Sequence, residues 1–310
     1  MIRFGSARQR NSGGAIMVAA AALARGLFVA GWVALPQALP AALAEPIKIV
    51  AAESVYGDVV QQVGGTGVAV TSILTHPNQD PHEFEASAST ARALAEARLV
   101  VYNGADYDPW VAVLLSGSRR AAGEVIEVAA LAHKKPGDNP HLWYEPSAMS
   151  ALAEAVAATL TRIDPGHAAD YGRGLAAFAV GMQRLGQKIA ALRAKYAGTP
   201  VTATEPVFGY MADALGLSMR NDRFQLAVMN GTEPSAAAVA AFERDLRTHA
   251  VKALFYNSQT GEALSARMRE IALEAGVPVV AITETEPQGL NYQEWMLRQL
   301  DALDRALAGH

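Results

Sequence analysis

The chain has 310 residues, of which 51% are hydrophobic and 18% charged, a balance far from that of a disordered polypeptide and long enough for about two domains. It contains no cysteine, which excludes a disulfide scaffold, a thiolate zinc site, a cysteine nucleophile and a lipid-modified N-terminal cysteine. A formal charge of −4 supplies no basic face for nucleic acid.

Residues 1–44 differ from the rest. They hold Arg3, Arg8, Arg10 and Arg25 with no acidic residue, two apolar runs at Ala15–Ala24 and Leu27–Leu35, and a closing Ala42-Leu43-Ala44, the marks of a secretory signal peptide. A membrane anchor is the other reading, because Ala15–Leu35 reaches the ~20 residues that a bilayer requires; Arg25 in its middle counts against it. Without the leader's four arginines, 22 basic residues face 30 acidic ones, a charge of −8. An acidic exported chain suits a cationic ligand, and the expected location is the periplasm, in soluble form.

From Glu45 on, short β-rich runs alternate with longer helical ones, the rhythm of parallel sheets with crossover helices. In the first half, strands are predicted at Ile47–Ala52, Val68–Leu74, Leu99–Tyr102 and Val125–Val128, and helices at Thr90–Ala97 and Pro146–Ile163. The Gly64-Gly65-Thr66-Gly67 run reads as a turn into Val68 and not as a phosphate cradle. Between His167 and Tyr196 there is no proline, and Leu175, Phe178, Met182, Leu185, Ile189 and Leu192 recur every three or four residues, which predicts one amphipathic helix. At ~1.5 Å per residue it extends about 45 Å.

The β/α rhythm then resumes. Strands are predicted at Val201–Thr204, Ala253–Tyr256 and Val277–Thr283, and helices at Phe208–Leu215, Pro234–Thr248, Glu262–Ala275 and Tyr292–Leu307. The expected fold class is α/β, with two lobes, each a parallel β-sheet flanked by helices, joined by one long rigid helix. The boundaries run 1–44 for the signal peptide, 45–165 for the first lobe, 166–197 for the connecting helix and 198–310 for the second lobe.

Asp80-Pro81-His82 and Asn139-Pro140-His141 are both Asx-Pro-His triplets in the first lobe, and a proline fixes one backbone dihedral ahead of each imidazole. In the second lobe, Glu205 follows the strand Val201–Thr204 and Glu284 follows Val277–Thr283. Ligands of open parallel sheets bind beyond the carboxyl ends of strands, so His82, His141, Glu205 and Glu284 can meet at one point if the lobes face each other. Taken singly, each is as well explained as a loop histidine or a helix-capping glutamate; together they form a metal-ligand set. Two neutral imidazoles and two carboxylates around a divalent cation sum to zero charge and can be buried. The oxygen donors favour manganese, iron or zinc over copper. Glu83 and Glu286 are the substitutes if the register is off by a residue or two, and His76 is a turn residue. Trp110, Trp143 and Trp295 read as packing groups. No HExxH, GxSxG or P-loop motif is present, and four protein ligands leave little room for an activated water.

The segment Gln79-Asp80-Pro81-His82-Glu83-Phe84-Glu85, followed by a helix and Leu99-Val100-Val101-Tyr102-Asn103-Gly104, resembles the metal-site loop of the cluster A-I family, the manganese/zinc solute-binding proteins of ABC transporters. Asn139-Pro140-His141-Leu142-Trp143, Thr204-Glu205-Pro206-Val207-Phe208-Gly209-Tyr210 and Ile282-Thr283-Glu284 with a following Gly289 loop are similar to that family's other three motifs. The resemblance covers about residues 45 to 307. It implies a receptor that captures a divalent cation outside the cytoplasm and delivers it to an inner-membrane ABC permease, with no catalysis, no nucleic acid and a monomeric state. It also implies limited hinge motion about the long helix. In that family the third ligand is commonly His in zinc importers and Glu in manganese importers, so Glu205 and the missing His-rich loop favour Mn2+, with Zn2+ or Fe2+ as alternatives. Glu284 in place of the usual Asp, and Pro206 directly after the third ligand, depart from the pattern. An extracytoplasmic metallohydrolase built on the same cluster, or an adhesin stabilised by metal, is the alternative function.

Overall fold

The protein is described here by a computed structural model covering residues 45–76, 84–117, 123–259 and 261–309. The leader and its cleavage pattern lie outside the described residues. Among those described, no helix is long and apolar enough to cross a membrane.

The first sheet is built from β1 (Ile47–Glu53), β2 (Val68–Leu74), β3 (Leu99–Tyr102) and β4 (Glu124–Glu127), all parallel, in the order β2-β1-β3-β4. Ile49 is paired with both Val70 and Leu99, so β1 is central, and its continuous apolar run is that of a strand covered on both faces. Side chains alternate between the two covers. Ile49 and Ala51 enter one large cluster with Leu99 and Val101, whereas Val50 and Ala52 turn to a smaller one with Leu94, Val100 and Val111.

Between these strands lie α1 (Ser54–Gly64), α2 (Ala88–Glu96) and α3 (Pro109–Gly117), and the single turn α4 (Val128–Leu131) follows β4. Helix α2 starts two residues before the predicted Thr90 because Ser87 and Thr90 close a reciprocal capping box. The predicted glycine turn is a 3-10 turn over Gly65–Gly67, with Gly65 at φ 55°, a conformation that glycine adopts without steric cost.

The helix pair α5 (Pro146–Ile163) and α6 (Ala168–Tyr196) then links the two sheets. Pro146 occupies the first turn of α5, where its missing N–H costs nothing. Helix α6 buries Tyr171, Phe178, Leu185 and Leu192, one residue every second turn. The other members of the predicted stripe, Leu175, Met182 and Ile189, are half-buried against the same core. Gly174 brings α6 so close to α1 that an added Cβ would stand 2.2 Å from the Val63 carbonyl oxygen.

The second sheet repeats the first in order and direction. Its strands are β5 (Pro200–Ala203), β6 (Ser218–Arg220), β7 (Leu254–Asn257) and β8 (Val279–Ile282), arranged β6-β5-β7-β8 and all parallel. Helices α7 (Gly209–Ala214), α8 (Asp222–Met229), α9 (Ala236–Arg247), α10 (Ala263–Glu274) and α11 (Tyr292–Ala308) complete this half. Strand β6, a three-residue edge with exposed Ser218 and Arg220 on either side of the half-buried Met219, is too short for its alternation to be read and was not predicted. Strand β8 is shorter than the predicted Val277–Thr283. The Val277 N–H is spent on the Ala272 carbonyl, and Pro278 has no N–H to offer a ladder.

One apolar cluster runs through both halves, from Ile49 and Val101 by way of Trp143, Tyr144 and Phe208 to Phe255, Trp295 and Leu300. A separate cluster of Phe224, Phe242, Leu246, Leu254 and Met268 covers the other face of the second sheet.

Candidate metal centre

In each sheet the connections run in opposite directions from the two central strands, β1 and β3 in the first and β5 and β7 in the second. Open parallel sheets bind ligands outside the carboxyl ends of such a pair. Of the four predicted ligands, His141 and Glu284 approach each other and Glu205 is joined to Glu284 through Asn257; the fourth, His82, and its neighbour Glu83 lie outside the described residues. His76 is an exposed loop residue.

Glu205 leaves β5 in an extended conformation just before the 3-10 turn Pro206–Phe208, and Glu284 leaves β8 after Thr283. Both are only 3% exposed, which removes the reading of either as a solvated carboxylate. His141, fully buried, comes from the loop between α4 and α5. Its Nε2 stands 3.5 Å from Glu284 Oε2. Two ligands each ~2.0–2.2 Å from a shared ion are about this far apart.

The imidazole is aimed by the asparagine of its own triplet. His141 Nδ1 lies 2.7 Å from Asn139 Oδ1, which also accepts the His141 backbone N–H. An amide oxygen can only accept, so Nδ1 carries a proton and Nε2 is the ring nitrogen turned to Glu284. That nitrogen is buried without a hydrogen bond, as expected of a ligand whose other ring nitrogen is oriented by an outer partner. The Asn139 side-chain N–H2 donates to the Pro206 carbonyl at 2.7 Å, and Tyr210 donates its hydroxyl to the Asn139 carbonyl at 2.6 Å. The loop of the second imidazole is thereby tied to the loop of the third ligand.

The carboxylates are held from both sheets. Tyr107, in the loop after β3, donates its hydroxyl to Glu284 Oε2 at 3.0 Å. Burial and the Glu284 charge push its phenol up, so it stays a donor. Asn257, the last residue of β7, donates from Nδ2 to Glu284 Oε1 at 2.6 Å and to Glu205 Oε1 at 3.3 Å. Gln259 Oε1 accepts the backbone N–H groups of Glu284 and Thr285, and Tyr144 donates to the Thr283 carbonyl at 2.7 Å. Asp108 accepts the N–H groups of Asn103 and Gly104 at 2.7 and 2.8 Å, shaping the turn that carries Tyr107. Burial pushes the Asp108 carboxyl up to about 6 against those bonds. Asn103 donates to the Pro140 carbonyl at 2.9 Å, next to His141.

Trp143 and Tyr107 stand edge-on to the imidazole, with ring centroids 5.5 and 6.0 Å away, so the polar groups meet in an apolar enclosure. Among the described residues, no group of three or more His, Asp or Glu closes round an ion by itself. The arrangement is a paired His141 and Glu284 with Glu205 joined through Asn257.

Tyr107, Asn139, Asn257 and Gln259 were not among the predicted functional residues. Asn257 directly follows the predicted strand Ala253–Tyr256, so the strand-end logic that selected Glu205 would have found it had amides been considered beside ligands. The alternative ligand Glu286 is also buried, and its partner in electrostatics is Asp58 on α1.

The model of the ZnuA family, described as the periplasmic component A of a zinc-uptake complex, matches residues 49–306. A putative metal-binding protein of Treponema pallidum is 24% identical over 285 residues, covering 84% of this chain and 87% of its own. The manganese ABC transporter substrate-binding lipoprotein PsaA of Streptococcus mitis is 23% identical over 292 residues, covering 86% and 91%. Among solved structures, the periplasmic zinc-binding protein TroA of Treponema pallidum superposes with a TM-score of 0.70 at 18% identity, covering 84% of this chain and 98% of its own. That likeness carries the two-sheet fold with its long helix, and the family match extends over nearly all of the described residues: the chain belongs to the ZnuA family of periplasmic metal-uptake components.

Proposed function

We propose that this protein captures a divalent transition metal outside the cytoplasm and delivers it to an inner-membrane ABC permease, with no bond made or broken. The cation is the cargo, and its ligands are His82, His141, Glu205 and Glu284. The observation that carries this reading is the 3.5 Å approach of His141 Nε2, from a loop of the first half, to Glu284 Oε2, from the second, in an enclosure where neither side chain meets solvent. Mn2+ is the first candidate, because Glu205 supplies a second hard oxygen donor; Zn2+ and Fe2+ follow. The relatives support both leading metals, since PsaA is named for manganese and TroA for zinc. Removal of the leader 1–44 would release a monomer that works in the periplasm, with lobes at 45–165 and 198–310 on either side of the helix 166–197.

Calorimetric titration of metal-free protein with Mn2+, Zn2+ and Fe2+ tests the reading. The wild type should bind at least one tightly, and His141→Ala and Glu205→Ala should each lose affinity by about 100-fold or more while keeping the native circular dichroism. A wild type that binds none, or variants that bind like it, would overturn the assignment.

A further inference from the structure

Three consecutive residues after β3, Gly104, Ala105 and Asp106, have left-handed backbones, with φ 77°, 50° and 65°. Glycine adopts that conformation freely, whereas alanine does so only at a steric cost and aspartate only as single residues. The other described non-glycine residues with positive φ, His133, Asn221 and His249, stand singly. A run of this kind persists only where its surroundings hold it. The Asp108 carboxylate does so: Oδ2 accepts the Asn103 backbone N–H at 2.7 Å, and Oδ1 that of Gly104 at 2.8 Å. Burial and the Asp108 charge push the Glu53 carboxyl well up, so Asp108 is the member of that buried pair that carries the charge. Asp106 Oδ2 accepts the Gly137 N–H at 3.1 Å, and Asn103 donates to the Pro140 carbonyl at 2.9 Å. The turn is thereby tied twice to the loop that leads into His141. At its end stands Tyr107, whose hydroxyl reaches Glu284 Oε2 in the second half.

We propose that Asp108 is a positioning residue for metal capture, which holds the strained turn closed and through it keeps the Tyr107 hydroxyl on Glu284. The inference rests on the metal-capture reading above. Asn257 holds Oε1 of Glu284 and Tyr107 holds Oε2, so the orientation of this carboxylate is fixed only while both donors stay in place. Without the two N–H bonds to Asp108 the strain is no longer offset. Ala105 and Asp106 then relax out of the left-handed region, the chain enters Tyr107 in a new direction, and Glu284 loses the donor on the oxygen nearest His141.

The test is a double-substitution cycle on the full chain: wild type, Asp108→Asn, Tyr107→Phe and both together, each titrated with Mn2+ and with Zn2+ and each unfolded by urea without metal. Groups that orient ligating side chains change metal affinity by about 10–100-fold when removed. Asp108→Asn should weaken binding about tenfold or more in the wild type, but less than about twofold once Tyr107→Phe is present, because the two act along one path. Equal losses in both backgrounds, or no loss in the wild type, would make Asp108 a packing residue and overturn the inference. Ala105→Gly supplies a second arm. Glycine takes the left-handed conformation without strain, so adding it to Asp108→Asn should return most of the lost affinity, which the mere loss of a buried acceptor would not allow; no return overturns the inference. Should Asp108→Asn not fold alone, this pair decides: recovered folding and affinity sustain the inference, and failure to recover either overturns it. A wild type that takes up neither ion sinks the capture reading by itself. The urea cycle then decides the positioning role: an Asp108→Asn effect on the unfolding constant smaller by about threefold or more with Tyr107→Phe present sustains it, and equal effects overturn it.

Discussion

Glu286 allows the electrostatics of this region to be tested apart from metal binding. It is 8% exposed, its Oε1 is buried without a hydrogen bond, and burial together with the nearby Asp58 carboxylate pushes its own carboxyl up to about 9. In the unfolded chain the same group titrates near 4.5. Between those values the folded protein holds a proton that the unfolded chain has released, so stability falls as pH rises from about 4.5 to about 9. At ~1.4 kcal/mol per pH unit, the cost at pH 7 is at most about 3 kcal/mol. Glu286→Gln copies the protonated form and removes that cost. Urea unfolding of chelator-treated protein should find the variant more stable by about 2–3 kcal/mol at pH 7, with the advantage shrinking to nothing near the pH where the unfolded glutamate takes up its proton. Because only the difference between the two proteins is followed, titrating groups that do not interact with Glu286 cancel. Identical pH profiles, or a less stable variant at pH 7, would refute the reasoning. The same variant should keep its metal affinity, and a loss of binding there with none in Glu284→Gln would move the fourth ligand to Glu286.

Tyr107→Phe removes a buried hydrogen bond to a carboxylate that joins the two halves; it should destabilise the metal-free protein by about 1.5–3 kcal/mol in chemical unfolding, and an unchanged midpoint would show that the bond contributes nothing. Gly174→Ala places a methyl against the Val63 backbone, which cannot move aside as a side-chain tip could. The expected cost is about 1–3 kcal/mol from overpacking, read as a lowered melting temperature, and a neutral result would mean that α1 and α6 slide apart freely. Metal at 100 times its Kd should raise wild-type stability by about 2.7 kcal/mol and should leave His141→Ala unmoved at the same concentration; equal shifts in both would place the bound ion elsewhere.

The sequence made the alternation of elements readable because the central strands are nearly uniform in apolar character and the long helix keeps an unbroken three-four spacing. Strand β6 was hidden because an edge strand of three residues, with only Met219 turned to the core, is too short for a period to be read. Helices α3 and α8 were not predicted either; α3 is apolar almost all round, with no polar face to give it a period. At the candidate site, Glu205, Glu284 and His141 could be singled out because metal chemistry restricts donors to a few residue types and parallel sheets restrict them to strand ends. Tyr107, Asn257 and Gln259 do their work through direction and distance, and their residue types are common in loops, so only coordinates single them out. The equal strand order of the two sheets was likewise invisible, since the halves share an arrangement of strands without an obvious repeated sequence.

That equal order bears on when the protein can first hold its cargo. Each sheet pairs only strands from its own stretch of chain, β1 to β4 within residues 47–127 and β5 to β8 within residues 200–282, so each can close as a unit during synthesis or export. On the proposed ligand set the ion, by contrast, needs His141 from just beyond the earlier stretch and Glu284 from just beyond the later one. A partly made chain can complete a sheet but not the proposed site, which has to wait until the chain through Glu284 is present.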